Sequence, residues 1–350
     1  MVEREVFVAG FGARTPVGAT ASSSAAAVRA GIAMFAEHPY MVDKAGNRMV
    51  VARDALLSDD EVGVDRFIEL GLPAALEALV PLTNLLSAKE SLPLFIGLPA
   101  PRPGLPERLE EGIIESVMDK LQNQFRVGSI EMFSYGHSAG LMALEEGWRR
   151  IRGGTAEICL IGGIESYHNP ETLEWLDDQS QLHSETNSWG FIPGEAAGFC
   201  LLCSSRAIER FGLRSFGQVR MVATAREASL IKTDAVCLGE GLTKAVATVL
   251  QSLPGGIFRV DCTICDLNGE PYRGDEFGYA TVRTAGRVVD PSDLMTPADC
   301  WGDVGAASGP LFLTLALIAA LKGYSKGPHT LVWTSSEGGH RTAALLYTGN

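Results

Sequence analysis

The chain has 350 residues, of which 46% are hydrophobic and 20% are charged, as is typical of a large globular protein with its own core. Its formal net charge of −13 provides no electrostatic attraction to nucleic acid or to an anionic membrane. No signal-peptide pattern is visible at the N-terminus, and the longest apolar run, residues 310–321, is too short to span a bilayer. We therefore predict a cytoplasmic protein with no nucleic-acid partner and no membrane span.

The first half of the chain alternates strand patterns with helical patterns. Short apolar runs predict strands at residues 6–12, 92–96, 129–133, 157–161 and 199–203. Helical periodicity predicts helices at residues 22–30, 65–79, 105–124 and 140–152. Residues 38–51 predict a surface hairpin, and residues 167–188 form a polar excursion without assigned structure. Residues 136–140, GHSAG, form a sharp turn between a strand and a helix.

The second half repeats this style. Strands are predicted at residues 218–225, 262–266, 330–335 and 342–347, and helices at 241–253, from about 273 onward, and at 309–321. Each half has a turn rich in small residues that enters a helix, and a later glycine pair, Gly162/Gly163 or Gly338/Gly339. This repetition predicts two duplicated α/β halves, residues 1–205 and 206–350. The alternation predicts mainly parallel sheets covered by helices.

The seven cysteines are an odd number, which favours reduced thiols over a disulfide framework. Two CxxC pairs, Cys200/Cys203 and Cys262/Cys265, have a spacing that occurs in zinc sites. Both pairs lie in apolar strand-like runs, where positions i and i+3 point to opposite faces of the sheet. We therefore predict buried core thiols, no metal and no cofactor.

Several motifs, taken in order, resemble those of the β-ketoacyl synthases, a family with a thiolase-like fold. They are the opening strand and turn, a Gly-Gly-x-Glu turn, a Gly-rich loop and the closing loop, at residues 8–18, 162–165, 190–198 and 335–345. The resemblance covers nearly the whole chain and implies two five-stranded sheets in five-layer αβαβα packing. It also implies a homodimer, or a heterodimer with an active synthase, and work on an acyl chain or an acyl-carrier protein. By the same resemblance, Phe191, Gly338 and Gly339 lie where substrate binds.

The same resemblance identifies the positions of a catalytic cysteine and two catalytic histidines. A helix N-terminus lowers the pKa of a thiol and favours thiolate attack on an acyl thioester, and the two imidazoles assist the condensation. Counting back three residues from Gly140 places His137 at the cysteine position. Leu267 or Asn268 stands at the first histidine position, and Gly302 stands at the second. The substitutions imply a protein that does not condense acyl groups by the usual route.

Three functions are consistent with these residues. The main prediction is a non-condensing relative that binds an acyl chain or carrier protein, or pairs with a synthase as a chain-length-type subunit, with His137 held by Asp303 or Asn268. The second is an acyltransferase or esterase, because GHSAG fits the Gly-x-Ser-x-Gly turn that exposes a serine nucleophile. Ser138 would then attack, with His340 or His137 as its base, although a helix N-cap role is the plainer interpretation. The third is an inert scaffold. We expect these side chains to converge with those of Glu270 and Glu337.

Overall fold

Two sets of five strands with the same internal order form the frame of the protein. The structure, a computed structural model, describes residues 4–83, 85, 90–122, 124–253, 255 and 259–349. The outer ends of the two predicted halves, residues 1–3 and 350, lie outside the described residues, as does residue 123 of the predicted helix 105–124. The first set contains β1 (Val6–Arg14), β4 (Ser91–Leu98), β5 (Arg126–Ser134), β6 (Ile158–Ser166) and β7 (Glu195–Ser204). The second set contains β8 (Gly217–Arg226), β9 (Cys262–Cys265), β10 (Leu294–Met295), β11 (His329–Ser335) and β12 (His340–Tyr347).

The two sets are joined edge to edge. The strand order is β10-β9-β11-β12-β8-β1-β7-β6-β4-β5, so that each set has the same sequence of neighbours counted from the middle. Only two residue pairs, Phe7 with Gln218 and Val8 with Gly217, connect β1 to β8. The two sheets implied by the resemblance are therefore continuous through a short antiparallel contact. The predicted surface hairpin is a separate sheet of β2 (Ala36–Val42) and β3 (Arg48–Val51). The division of the chain at residue 205 stays a prediction.

Helices cover both faces of each set of strands. Their bounds are α1 (Ala21–Arg29), α2 (Gly63–Leu79), α3 (Leu109–Leu121), α4 (Ala139–Arg152), α5 (Pro170–Asp178), α6 (Ser205–Phe211), α7 (Glu240–Leu250), α8 (Pro271–Thr284), α9 (Ala298–Trp301) and α10 (Ser308–Leu321). Helices α2 and α3 pack on the outer face of the first set, and α7 and α8 on the outer face of the second. Helices α4 and α10 lie between the sets and contact strands of both. This is the thiolase-like α/β layering.

Small residues allow the two central helices to approach each other closely. A Cβ atom on Gly140 would lie 2.5 Å from the carbonyl oxygen of Ala306, and one on Gly309 would lie 2.5 Å from the side chain of Leu141. Helix α10 is apolar on every side because it is enclosed by other elements, and it is buried from Ser308 to Ala319. Among the described residues, no helix combines the length and the apolar character needed to cross a bilayer.

One predicted irregular segment contains a helix. The polar excursion at residues 167–188 includes α5, whose N-cap residue Asn169 accepts a hydrogen bond from the backbone N–H of Thr172. Pro170 occupies the first turn, where a missing N–H costs nothing. The start signal was present in the sequence, but the helix buries only three residues and its apolar period is therefore short. Helix α6 and the two-residue strand β10 were also not predicted.

Candidate functional site at the entrance of α4

His137 lies in a tight turn between β5 and α4. Gly136 begins the turn with a φ of 73°, in the left-handed region that glycine adopts without strain. A short 3₁₀ turn, Gly136–Ser138, then leads directly into α4. His137 is only 7% exposed, so its imidazole requires partners inside the protein. The turn predicted from GHSAG thus places this imidazole at the floor of a cleft.

Asp303 binds the imidazole. The Nε2 atom of His137 lies 2.9 Å from Oδ1 and 2.8 Å from Oδ2 of Asp303. The same carboxylate accepts a hydrogen bond from the backbone N–H of Gly305 at 2.8 Å and from Nδ2 of Asn268 at 2.6 Å. Three of the residues predicted for the site, His137, Asn268 and Asp303, are therefore in one hydrogen-bonded group. They stand at, or beside, the three positions where the resemblance expects catalytic residues.

Arg273 completes the buried network from α8. Its Nη2 atom lies 3.1 Å from Nε2 of His137, and its Nη1 atom donates to Asp266 at 3.1 Å and to the carbonyl of Ser335 at 2.9 Å. Its Nε atom donates to Glu270 at 3.2 Å. The guanidinium is 1% exposed. Because it is buried among carboxylates, it remains charged and holds the loop after β9 against α4.

The charges of the central pair follow from these contacts. Burial acts to lower the pKa of His137, but the Asp303 carboxylate raises it by more, and the net pKa lies above the ordinary value. Burial acts to raise the pKa of Asp303, but His137 and Arg273 outweigh it and hold that pKa well below its usual range. These contacts therefore favour the imidazolium form of His137 beside the Asp303 carboxylate. An imidazolium has no free lone pair and cannot attack a thioester.

The backbone closes the second histidine position to any side chain. Gly302 has a φ of 73°. A Cβ atom there would lie 2.7 Å from the carbonyl oxygen of Ile192 and 3.0 Å from Cβ of Ala52. Both contacts are with rigid atoms, so a histidine at this position would require the backbone to move.

The cleft in front of His137 is small and is lined by both polar and apolar side chains. It has a volume of about 100 Å³, whereas pockets for drug-sized ligands have roughly 300–1,000 Å³. Arg102 pairs with Glu165 at 2.7 Å and stacks over the ring of Tyr167. Of the three residues predicted to bind substrate, Phe191 and Gly338 line the cleft, and Gly339 turns the neighbouring loop with a φ of 92°. Polar and aromatic side chains dominate the lining: Arg102, Tyr135, His137, Glu165, Tyr167, Trp175, Gln181 and Glu337.

Ser138 faces away from the cleft. Its hydroxyl lies 2.9 Å from the carbonyl oxygen of His340 and 3.1 Å from that of Thr334, and the residue is fully buried. Its backbone N–H donates to the hydroxyl of Ser336 at 2.8 Å. Ser138 stands at the N-cap position of α4, yet its side chain makes no capping hydrogen bond. The serine therefore ties the helix entrance to β11 and β12.

His340 contacts other partners through its ring. Arg226 donates to ring atom Nε2 at 2.7 Å, and the ring of Tyr135 packs against it with centroids 4.5 Å apart. Burial and the cations of Arg226 and Arg341 lower the pKa of His340. The ring is thus neutral with its lone pair directed at Arg226. Only the backbone carbonyl of His340 contacts the hydroxyl of Ser138.

The four residues not predicted at this site are Asp266, Arg273, Arg102 and Glu165. A weak signal existed for Asp266 alone, because polar residues alternate at Asp266, Asn268 and Glu270 directly after a buried strand. The cysteines at the CxxC pairs lie elsewhere, and burial raises the pKa of Cys200 and of Cys203 to about 12. All seven cysteines are free thiols, and none of them is in the turn at His137.

The region around the turn matches a known family. Residues 135–207 match the family model described as β-ketoacyl synthase, N-terminal domain. The matched segment begins beside His137 and continues through β6 and β7. Over this segment the chain is similar to the ketosynthases. No curated sequence matched the chain.

Solved structures show the same fold over almost the whole chain. A type II polyketide acyl-carrier protein in complex with its ketosynthase (AntDE:AntF) matches with 14% identity and a TM-score of 0.80, covering 99% of this chain and 100% of that one. The ishigamide ketosynthase/chain length factor matches with 17% identity and a TM-score of 0.72, with coverage of 99% and 100%. A Streptomyces albus oxazolomycin ketosynthase domain matches with 17% identity and a TM-score of 0.76, with coverage of 99% and 74%.

Proposed function

We propose that this ketosynthase-like protein is a non-condensing subunit of a fatty-acid or polyketide type pathway, and that it acts by pairing with another chain of the same fold. The observation that carries the proposal is the buried His137–Asp303 pair at the entrance of α4, where the resemblance expects a reactive thiol. Claisen condensation needs a nucleophile to hold the acyl group and donors to stabilise the developing anion. By the resemblance, His137 stands at the nucleophile position and Gly302 at the second histidine position, where the backbone has no space for a side chain.

The cleft argues against binding of a long acyl chain. Its volume of about 100 Å³ corresponds to a few methylene groups, and charged side chains such as Arg102 and Glu165 would have to lose their hydrogen bonds to admit an apolar chain. Pairing is therefore favoured over chain binding within this subunit. Among the similar structures, one is a ketosynthase/chain length factor.

The edge strand β5 offers a surface for pairing. It runs for nine residues at one end of the ten-stranded sheet and, in the described part of the chain, pairs only with β4. An open edge of this length has unpaired N–H and C=O groups that a strand of another chain can bind. A second copy or a related synthase subunit would complete the sheet there.

Two other predictions are less well supported. The contacts of Ser138 do not favour an acyl-enzyme, because its hydroxyl is fully buried and bound to carbonyl oxygens. Docking of an acidic carrier protein would require a basic patch, and the arginines near the end of α4 are weak candidates, since Arg149 and Arg150 both form ion pairs with Glu146. If the partner is not a synthase, the same pairing would make this protein a scaffold. The cytoplasmic location stays a prediction.

The test is acyl transfer measured directly. The purified protein is incubated with acyl and malonyl thioesters, and intact mass, peptide masses and released β-ketoacyl product are recorded. We expect no acyl adduct and no condensation product. An adduct on Ser138 or on any cysteine that turns over would overturn the proposal, and the Ser138→Ala variant would assign the first case.

Pairing is tested separately. Sedimentation or light scattering should show a dimer, either of this chain alone or with an added synthase subunit. A charge placed at the exposed residue Ser129 of β5, Ser129→Lys, should dissociate the dimer while leaving the far-ultraviolet circular dichroism unchanged. A protein that remains monomeric with every synthase subunit supplied would contradict the pairing role.

A further inference from the structure

A second group of ionisable side chains lies outside the cleft, where the end of β8 meets α8. Glu227 directly follows β8, Glu276 lies within α8, and Cys237 is on the segment that leads into α7. One ligand atom from each of these three residues lies within 4.8 Å of the others. The three come from separate parts of the second half, so their proximity is a product of the fold.

The charges of this group do not balance. Glu227 is 4% exposed and Glu276 is 1% exposed. Arg341 pairs with Glu276, whereas in the described part of the chain no Lys, Arg or His forms an ion pair with Glu227. Two buried carboxylates thus share one guanidinium. A buried carboxylate without a counter-ion is costly, because burial removes it from water.

One oxygen of the buried group lacks a partner altogether. The Oε1 atom of Glu276 accepts from Nε of Arg341 and faces the thiol of Cys237 at 3.8 Å. Its Oε2 atom has no hydrogen-bond partner although it is buried. Unsatisfied buried oxygens are rare in folded proteins and indicate an absent water or ion. This observation is independent of the proximity of the three side chains, and it leaves a buried oxygen of Glu276 available to a ligand.

We propose that Glu227, Cys237 and Glu276 bind a divalent cation of the zinc type, with its fourth position open to water. Thiolate and carboxylate together suit zinc and cobalt better than the hard cations magnesium and calcium. Three atoms 4.8 Å apart enclose a point roughly 2.8 Å from each, so the ligands need to move inward by less than about 1 Å to reach zinc distances.

The surroundings orient the ligands. The backbone N–H of Gly241 donates to Oε2 of Glu227 at 2.8 Å, and Arg341 holds the Oε1 side of Glu276. Such outer contacts position ligating carboxylates in metal sites. Binding replaces the S–H bond of Cys237 with a sulfur–metal bond, and the thiol proton is released to solvent.

The site links the segment between β8 and α7 to α8. On that segment Lys232 pairs with Glu270 at 3.0 Å and with Glu337 beside the cleft. A cation at Cys237 would anchor the other end of the same segment. The cation would therefore stabilise the segment whose Lys232 pairs with Glu337, a residue that lines the cleft, whether or not the subunit pairs as proposed above.

The experiment is metal binding by the full chain. The protein is treated with a chelator, dialysed and titrated with Zn²⁺ or Co²⁺, and the bound metal, the thiolate-to-cobalt absorption and the melting temperature are measured. We expect one ion per chain, a thiolate band and a higher melting temperature. Cys237→Ser should abolish the band and weaken binding by about tenfold or more. Glu276→Gln should also weaken it.

The matched control is Cys262→Ser, because Cys262 is also a partly buried free thiol. This variant should bind the ion as the wild type does. Zn²⁺ should also protect Cys237, but not Cys262, from alkylation, a readout that remains informative if Glu276→Gln fails to fold. The proposal is overturned if no ion binds, or if the cobalt band and the affinity survive in Cys237→Ser.

Discussion

The entrances of α4 and α10 have the same backbone design and differ in chemistry. Each begins with a glycine of positive φ, Gly136 at 73° and Gly305 at 39°, and each passes through a 3₁₀ turn into a central helix. The first turn presents His137 to a cleft. The second turn, Gly305–Ala307, is fully buried and carries no polar side chain.

The difference shows how one backbone serves two purposes. A Cβ atom on Gly163 would lie 2.1 Å from the carbonyl oxygen of Ala306, and one on Gly305 would lie 2.1 Å from Oε2 of Glu165. The turn at α10 is therefore a packing surface for the first half. The turn at α4 is free of that constraint on its cleft side, so packing restricts the side chain of residue 137 less than it restricts the turn at α10.

The largest expected effect on stability comes from adding a side chain to the turn before α10. Gly305→Ala adds a Cβ at a positive φ and against the Glu165 carboxylate, which should lower the free energy of unfolding by about 4 kcal/mol. Urea denaturation measures the change. The control Gly278→Ala adds a Cβ in open space within α8 and should raise stability by about 0.5–1 kcal/mol. Equal effects of the two substitutions would refute the assignment of the α10 turn to packing.

The next effect comes from the polar turn. Asp303→Asn removes a negative charge that balances the buried cations of His137 and Arg273. The loss should lower the free energy of unfolding by about 3–5 kcal/mol. The comparison is with Asp275→Asn, an exposed position on α8 that should change little. Adding His137→Gln to Asp303→Asn should recover part of the loss, because it removes the unpaired cation. If the free-energy loss of the double variant equals the sum of the losses of the two single variants, the result would argue against the ion pair.

The pH dependence should isolate the same pair. Because the folded pKa of His137 is raised, its contribution to stability is fully present below about pH 6.5 and is lost as the pH rises through the folded pKa. The stability difference between wild type and His137→Gln should therefore shrink as the pH rises above about 6.5. The variant comparison is needed because burial lowers the pKa of His38 to about 4, which acts in the opposite direction. A difference that grows with pH would reverse our assignment of charge.

The smallest effect is expected at Ser138. Ser138→Ala removes a buried hydroxyl and its hydrogen bond to β11 or β12 and should cost about 1 kcal/mol. Ser22→Ala, at an exposed position of α1, serves as the control and should not destabilise. If Ser138→Ala is as stable as the wild type, the tie between α4 and the second set of strands is not energetically significant.

Much of the fold followed from local patterns. The period of the apolar residues predicted α2 to within two residues of its start, and the alternation of strands and helices predicted a layered α/β protein. Helix α5 was missed although Asn169 and Pro170 form a start signal, because its buried face is too short to show a period. At the site, counting from Gly140 was sufficient to find His137, whereas Arg273 sits on an otherwise ordinary amphipathic helix and attracted no notice.

By itself, the sequence determined which segments form strands and helices and that an imidazole, not a thiol, stands at the entrance of α4. Periodicity and glycine turns act over a few residues, so the sequence displays them directly. Only the tertiary structure decided that Asp303 and Arg273 close on His137, that Ser138 faces away from the cleft, and that Glu227, Cys237 and Glu276 meet. Which charged side chains pair depends on how close the fold brings loops that follow distant strands. No local sequence pattern specifies the distance between two such loops.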